Sequence, residues 1–419
     1  MIMAIHQNRG YHLVFLLTQD LESPSGLGRY FPWAKFLVQE GFNVTILALH
    51  SNYPSLSIKE FIRDGVNIKY VAQMHVHKSD HTTHYFSPSR LVRVSWRATR
   101  ALYHAGMETD SDLIIIGKPH PMNSLAGIRL ARKKHVPVVV DCDDYEAESN
   151  HTSSQWQKLM LRFFEDSTPK KSDLITTNTY FNKNRLIKLG ISESKIHYVP
   201  NGVDVDRFQT APQAEIEKYK RELGLENKKV VAYLGSLSLA NHPVNVLIEA
   251  FAEAAKKIDD ARLLIVGGGK DFENLKELSR KLGISEKVIF TGKVPPEKMN
   301  LYYSLTDISV DPVNDTLADH GRCPLKIFES WQMGVPVVSA DVGDRKILAG
   351  DPPSIRLSYT NTTDELSQIL LELIQDKNAL DDLKNNGRKR IRDFLWAGIA
   401  HESAEIFADL IDQAKRKDG

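Results

Sequence analysis

Short apolar runs that favour β-structure alternate with longer helical patterns along nearly the whole chain, and this alternation leaves few folds open. The strand candidates are Tyr11–Leu17, Asn43–Leu49, Val66–Ala72, Leu113–Gly117, Pro137–Asp141 and Leu174–Asn178. A second series follows Pro200: Val230–Leu234, Arg262–Val266, Lys287–Thr291, Ile308–Val310, Pro336–Ser339 and Ser354–Leu357. Each is short and mostly apolar on both faces, the pattern of parallel strands buried between helix layers. Helical patterns such as Phe31–Glu40, Asn245–Lys257, Asp271–Leu282 and Thr363–Asp376 lie between them. Strand–helix–strand repetition builds an α/β, doubly wound parallel sheet. A single sheet of about a dozen parallel strands would be unusual, so two sheets are expected. The chain has 419 residues, enough for two or more domains. Val199–Phe208 marks the break, because Pro200, Asn201, Gly202, Asp204 and Asp206 are all turn formers. The expected division is 1–200, 201–390 and a helical end over 391–419.

Composition narrows the function. Lys plus Arg number 54 against 53 Asp plus Glu, so no global basic excess exists to hold nucleic acid, and any anion site must be local. The two cysteines, Cys142 and Cys323, match no metal spacing and favour a reducing compartment. Met1 to Gly10 does not read as a signal peptide, and no run approaches the roughly 18 apolar residues that span a bilayer. The expectation is a cytoplasmic chain that touches a membrane, if at all, from its inner face.

Three glycine sites follow strand candidates. Ser23–Arg29 carries Gly26 and Gly28 ahead of a helix expected to start at Phe31, where open N–H groups would suit a phosphate. It is not a GxGxxG, and no acid ends the second strand, so a nicotinamide dinucleotide is not expected. The other two are Gly235-Ser236 and Gly267–Gly269, at the carboxyl ends of strands where open α/β sheets bind ligands. Asp319–Ser330 is the most informative segment. Pro324 opens a helix expected to stop at Gly334, and its N-terminus would present the Leu325 and Lys326 N–H groups. Arg322 and Lys326 add positive charge, which together makes a local site for a pyrophosphate. Glu329, one turn further on, would accept hydrogen bonds from ribose hydroxyls or pair with a nearby cation.

These residues resemble the family 4 retaining glycosyltransferases, which have the GT-B fold of two Rossmann-like domains facing a cleft. The matching pieces are Tyr233–Leu237, Leu247–Phe251, Leu264–Gly269, Phe290–Gly292, Pro324–Glu329 and Gly334–Val338, with Phe394 and Trp396 ahead of the terminal helix. The resemblance implies an N-terminal acceptor-side domain, a C-terminal nucleotide-sugar-binding domain and a C-terminal helix that packs back on the first. It implies a nucleotide-diphosphate-sugar co-substrate, no other cofactor and no metal. Donor contacts would come from Gly26, Gly28, Gly235, Ser236, His242, Gly268, Thr291, Gly292, Lys293, Asp319, Pro324, Leu325 and Glu329. Two departures stand out. The family often has two glutamates eight positions apart, and here Glu329 is the second while Gly321 occupies the first. The family often has an Arg after the loop glycine and a Lys beyond it, where this chain has Ser236 and then Asn241 and His242. Arg322 and Lys326 can take their place as the catalytic cations.

Further candidates lie in the first half. Lys118, His120, Asp141, Asp143 and Asp144 follow two strands and are acceptor-side candidates, with His120 and Asp144 as catalytic groups. A paired-carboxylate hydrolase is their rival use. Arg90, Arg93, Arg97 and Arg100 form a basic stripe on one helix between apolar and aromatic arcs. With Arg93 and Arg97 foremost, the stripe suits an anionic lipid or lipid-pyrophosphate acceptor, or a solvated face. His75, His77, His81 and His84 crowd a polar stretch read as a loop, where no metal is assigned. The reading is a metal-independent hexosyltransferase acting on a glycan or lipid-linked acceptor. A catalytically weak sugar-nucleotide-binding protein and an epimerase or phosphorylase on the same fold are the alternatives.

Overall fold

The structure is a computed structural model describing residues 9–79, 82–149 and 155–418. The chain forms two compact units. One comprises Met1–Gly202, Gly321–Cys323 and Trp396–Gly419, the other Val203–His320 and Pro324–Leu395.

The strands of the first unit are β1 (His12–Leu17), β2 (Asn43–His50), β3 (Glu60–Arg63), β4 (Val66–Gln73), β5 (Val76–Ser79), β6 (Thr82–Tyr85), β7 (Leu113–Gly117), β8 (Val138–Cys142), β9 (Leu174–Thr177) and β10 (Ile196–Tyr198). Eight of them form one sheet in the order β10-β9-β8-β7-β1-β2-β4-β3. Every pairing is parallel except β3 against β4 at the edge. The second unit holds β11 (Lys229–Leu234), β12 (Ala261–Val266), β13 (Val288–Gly292), β14 (Ile308–Asp311), β15 (Val337–Ala340) and β16 (Ile355–Ser358). Their order is β13-β12-β11-β14-β15-β16, all parallel. In each sheet the first strand lies between its second strand and a later one, so the strand order reverses there. β1 sits between β2 and β7, and β11 between β12 and β14. Such reversals open a crevice at the carboxyl ends of the strands.

All the apolar runs named from sequence are strands. Those missed are β3, β5, β6 and β10, which are short or polar. The His75–His84 stretch is corrected from loop to hairpin: β5 and β6 pair antiparallel with His77 opposite His84. Its polar residues give no apolar alternation to read. His81 lies outside the described residues.

Helices cover both faces of the first sheet, giving one core around Phe15, Trp33 and Leu37 and another around Leu16, Leu102 and Leu130. The terminal helix Trp396–Asp418 belongs to the first of these cores. Trp396 stacks on Trp33 at 6.4 Å and its indole N–H donates to the Gly28 carbonyl at 3.2 Å. Phe407 packs on the same Trp33 at 5.8 Å. Each such buried aromatic contributes about 1.5–3 kcal/mol. Two residues before Trp396, Phe394 serves the other unit, packing on Phe328 at 5.0 Å and Trp331 at 6.1 Å.

Candidate functional site

In the second unit the loops after β11, β12 and β13 close on one another. Gly235 N–H donates to the Val266 carbonyl at 2.9 Å, Leu237 N–H to Gly268 at 3.0 Å, and Gly267 N–H to Gly292 at 3.1 Å. Glycine is required for this approach. A Cβ on Gly267 would come within 1.8 Å of the Gly235 carbonyl oxygen, and one on Gly269 within 2.2 Å of Leu237's. Gly268 faces Lys293, whose Cβ would be 3.3 Å from an added methyl, while Gly292 is open. Thr291 turns its hydroxyl to the Gly292 carbonyl at 2.9 Å.

The strand-order reversal of this unit is filled by charge. Asp311 ends β14, fully buried. Its Oδ2 accepts from Arg345 Nε at 2.9 Å, and Lys326 Nζ lies 3.2 Å from Oδ1. Burial opposes ionisation of Asp311, but Arg345, Lys326 and His242 outweigh it and hold the carboxyl well below the usual range. Lys326 also sits over the Tyr233 ring at 4.4 Å, and its Nζ would be 3.6 Å from a Cβ on Gly235. The Tyr233 hydroxyl donates to the Ser236 carbonyl at 2.7 Å, and His242 is tilted against the same ring at 6.2 Å. Lys326, Gly235, Ser236 and His242 are therefore brought together around Tyr233.

Lys326 lies in the first turn of the helix Leu325–Gln332, with Pro324 at its cap in extended conformation. The helix ends where expected, with Gly334 in the left-handed region at φ 68°. Glu329, half-buried one turn in, has a partner the sequence did not suggest: the Tyr303 hydroxyl donates to its Oε2 at 2.8 Å. Burial, then Glu329, push the Tyr303 hydroxyl well above its ordinary value, so it stays a donor. Asp319, buried, accepts from the Thr316 hydroxyl at 2.7 Å within the short helix Leu317–His320. His320 pairs with Asp315 at 2.6 Å.

Arg322 and Gly321 fall in the three residues counted with the first unit. Gly321 has no room for a side chain, since an added Cβ would lie 2.8 Å from Tyr145 Cβ and 3.2 Å from its backbone nitrogen. The Gly321 carbonyl accepts from Asn182 at 3.1 Å.

The first unit gathers the acceptor-side candidates after β7 and β8. Lys118 Nζ lies 2.7 Å from Asp144, 2.7 Å from Glu146 and 3.4 Å from Asp143. His120 Nε2 is 3.0 Å from the other Glu146 oxygen. Burial disfavours the Lys118 ammonium, but Asp143, Asp144 and Glu146 outweigh it and keep it charged. Burial lifts Asp143 well above the carboxylate range despite Lys118. Burial also opposes ionisation of Glu146, yet Lys118 and His120 pull its carboxyl down strongly. Lys118 adopts φ 62°, a left-handed conformation that costs a non-glycine residue roughly 1–2 kcal/mol. Asn123 pins it by donating to the Gly117 and Lys118 carbonyls at 2.6 and 2.9 Å. Behind the cluster, Glu165 accepts from the Glu146 and Ala147 N–H groups at 2.7 and 3.1 Å. Asp143, Asp144 and Glu146 have the mutual spacing of metal ligands. The Lys118 ammonium already supplies the charge among them.

Two expectations are corrected. The chain is already helical from Gly26, in a π-turn Gly26–Tyr30 that runs into the helix Phe31–Gln39, and the Phe31 N–H donates to the Gly26 carbonyl. No open helix end exists at Phe31. Gly26 and Gly28 are both buried, and a Cβ on Gly26 would meet the Asp20 carbonyl oxygen at 2.1 Å, so close packing explains it. Asp141, expected among the acceptor-side candidates, is fully buried and clamped by Arg29 through Nε at 2.8 Å and Nη2 at 2.6 Å. Arg29 also donates to the Val199 carbonyl and Asn201 Oδ1, both at 3.0 Å. Arg93 and Arg97 lie on the helix Pro88–Glu108, away from these clusters in sequence and exposed. Tyr303, Asp311, Arg345, Glu146 and Glu165 were missed. Asp311 carried a readable signal, since it is an acid just beyond the apolar run Ile308–Val310.

The family described as Glycosyl transferases group 1 matches residues 215–390, and the one described as Glycosyltransferase Family 4 matches residues 29–207. A GDP-mannose-dependent alpha-(1-6)-phosphatidylinositol monomannoside mannosyltransferase from Mycobacterium tuberculosis (strain CDC 1551 / Oshkosh) is 26% identical over 258 residues, 59% of this chain and 64% of that protein. The match thus spans less than two thirds of that relative's length. Sucrose-phosphate synthase from Thermosynechococcus elongatus shares the fold with a TM-score of 0.76 at 15% identity, covering 96% of this chain and 100% of that one. Anabaena HepE in complex with UDP and glucose aligns with a TM-score of 0.72 at 18% identity, covering 95% and 100%.

Proposed function

Since the chain belongs to family 4 of the glycosyltransferases and has their two-domain GT-B fold, we propose that it moves a hexose-type sugar from a nucleotide-diphosphate-sugar donor to a glycan or lipid-linked acceptor, with retention and without metal. The observation that carries this reading is Lys326, set at the N-terminus of the helix Leu325–Gln332 and directed by Asp311 toward the Gly235 loop. As the bond between anomeric carbon and diphosphate breaks, negative charge grows on the leaving group. Helix N–H groups and an ammonium held in place beforehand stabilise that charge without reorganising. Glu329, oriented by Tyr303, would accept from the ribose hydroxyls. Thr291, Gly292 and Lys293 would border the base. On the first unit, Lys118, His120, Asp143 and Asp144 would bind the acceptor hydroxyls.

The mannosyltransferase relative is named for GDP-mannose, which supports a nucleotide-diphosphate donor in general. The reading is tested by incubating the protein with a panel of nucleotide sugars and following nucleotide release with and without acceptor. Release that requires no acceptor, or none with any donor, would overturn it. The anomeric configuration of the product, read by NMR, tests retention.

A second reading, a binding protein with weak catalysis, is favoured by Ser236 in place of a cation and by the crowding at Gly321. Donor affinity without transfer would select it. Among the described residues no helix is long and apolar enough to cross a membrane. We place the chain in the cytoplasm, meeting a membrane surface through the Arg90–Arg100 stretch.

A further inference from the structure

At the carboxyl ends of β8 and β9, three successive cross-strand rungs differ in one respect. Asp141 is level with Thr176 and Cys142 with Thr177 in the parallel register. Both rungs are closed by hydrogen bonds, from the Thr176 hydroxyl to Asp141 Oδ1 at 2.7 Å and from the Thr177 hydroxyl to the Cys142 carbonyl at 2.9 Å. The next two residues, Asp143 and Asn178, leave the strands side by side and are 3% and 2% exposed. Neither Oδ1 has a hydrogen-bond partner among the described residues. Lys118 Nζ stands 3.4 Å from Asp143 Oδ1 and makes its hydrogen bonds to Asp144 and Glu146, at 2.7 Å each. Most buried polar groups are paired, so two neighbouring oxygens without a partner call for a cause.

The two groups are complementary. The amide Oδ1 of Asn178 accepts, whereas burial lifts the Asp143 carboxyl well above the usual carboxylate range and favours the form that donates. A hydroxyl does both, so one hydroxyl satisfies the pair. The neighbouring strand adds an aromatic surface. Tyr180 stacks on Tyr198 of β10 at 4.5 Å and an interplanar angle of 21°, and it stays 37% exposed. β10 lies beside β9, and the Val199 N–H donates to the Thr177 carbonyl at 2.8 Å, so the stack and Asn178 share one edge of the sheet. Open α/β sheets bind their ligands along this carboxyl edge. Aromatic surface with a few placed polar groups is the make-up of a small-ligand site. A pyranose ring matches it, with an apolar C–H face and a rim of hydroxyls.

We propose that Asn178, with Asp143, reads one hydroxyl of a hexoside acceptor and is the residue by which the chain tells that acceptor from its deoxy analogue. A site built to bond a hydroxyl rejects the analogue that lacks it, because the protein atoms are then left buried without a partner. The inference rests on the transferase reading above and names what its acceptor side selects.

The test sets two probe acceptors, octyl α-D-mannoside and octyl α-D-glucoside, and their monodeoxy analogues against the full chain, Asn178→Ala and Asn178→Thr. Affinity is read by saturation-transfer NMR titration, which does not depend on turnover. Transfer is read separately as kcat/KM with GDP-mannose and UDP-glucose as donors. In the unaltered chain, loss of one particular hydroxyl should weaken binding about 5- to 150-fold. Asn178→Ala should weaken the parent glycoside by a similar factor and leave that deoxy analogue as it was, so the two changes do not add. A merely structural role would weaken every analogue alike. Asn178→Thr, which keeps a hydroxyl, should recover part of the loss. Thermal unfolding of each variant separates lost binding from lost fold. A hydroxyl preference that survives Asn178→Ala, equal loss across all analogues, unfolding of both variants, or no binding of either glycoside would overturn the proposal. Binding coupled to Asn178 with no transfer would sink only the enzymatic reading, and transfer whose hydroxyl preference ignores Asn178 would sink only this one.

Discussion

Lys326 Nζ lies 3.2 Å from Asp311 Oδ1, joining the first turn of the helix Leu325–Gln332 to the end of β14. The pair fixes where a helix N-terminus carries its positive charge. It also couples the role proposed for Lys326 to stability, because Asp311 is buried with Arg345 as its second cation.

Lys326→Ala is expected to lower turnover on the order of 100-fold with a smaller change in donor KM, since the charge is needed most as the diphosphate leaves. It should also reduce unfolding free energy by about 1–3 kcal/mol, because Asp311 keeps Arg345 but loses one partner. Arg322→Ala should lower turnover without that loss of stability, as Arg322 is only partly buried. Steady-state kinetics at saturating acceptor, with urea unfolding, checks both. Near-normal turnover in both variants would remove these cations from the mechanism.

Glu329→Ala should weaken nucleotide-sugar binding by roughly 10- to 150-fold, the worth of a hydrogen bond to a charged acceptor at about 1.5–3 kcal/mol. Tyr303→Phe should produce a smaller loss, because it frees the carboxylate that the 2.8 Å bond orients. Titration calorimetry on the three proteins decides it; unchanged affinity for Glu329→Ala refutes the ribose assignment.

Transfer should persist in excess chelator. Asp143, Asp144 and Glu146 form the one group with metal-ligand spacing among the described residues, and Lys118 Nζ stands within 3.4 Å of all three. Activity lost to chelator and restored by Mg²⁺ or Mn²⁺ would show that a metal neutralises the diphosphate.

Restoring a side chain at Gly321 should not improve the protein. Gly321→Ala is expected to cost about 1–3 kcal/mol, because its Cβ would press on Tyr145 at 2.8 Å. Thermal unfolding measures this. A stable, more active Gly321→Glu would mean that Tyr145 yields easily.

Stability should fall as pH rises between the unfolded and folded ionisations of Glu165. Burial lifts its carboxyl from 4.5 to about 7, with Glu146 adding to the rise and Arg185 opposing it. In that window the folded chain holds a proton that the unfolded chain has released. Its stabilising effect is therefore complete below the unfolded value and lost as pH passes the folded one, at no more than about 1.4 kcal/mol per pH unit. Urea unfolding of the first unit at several pH values should show this slope, and Glu165→Gln should flatten it.

The sequence by itself determined the α/β class, the two sheets and the buried strands, because an apolar run with turn residues at each end is a local pattern. It also determined the helix from Leu325 and its stop at Gly334, since capping and left-handed backbone are properties of single residues. The tertiary structure alone decided the partners. Asp141 looked like a site residue until Arg29, distant in sequence, was found on both its oxygens. Lys118 meets its three carboxylates because β7 and β8 are neighbours in the sheet, and Tyr303 reaches Glu329 across a separation of 26 residues. The hairpin β5–β6 escaped for the opposite reason, since its mostly polar residues give no apolar alternation to read. Hydrophobic burial writes its signal along the chain, whereas the pairing of charges depends on which strands lie side by side. That order is set by how the crossovers pack, which no local run of residues records.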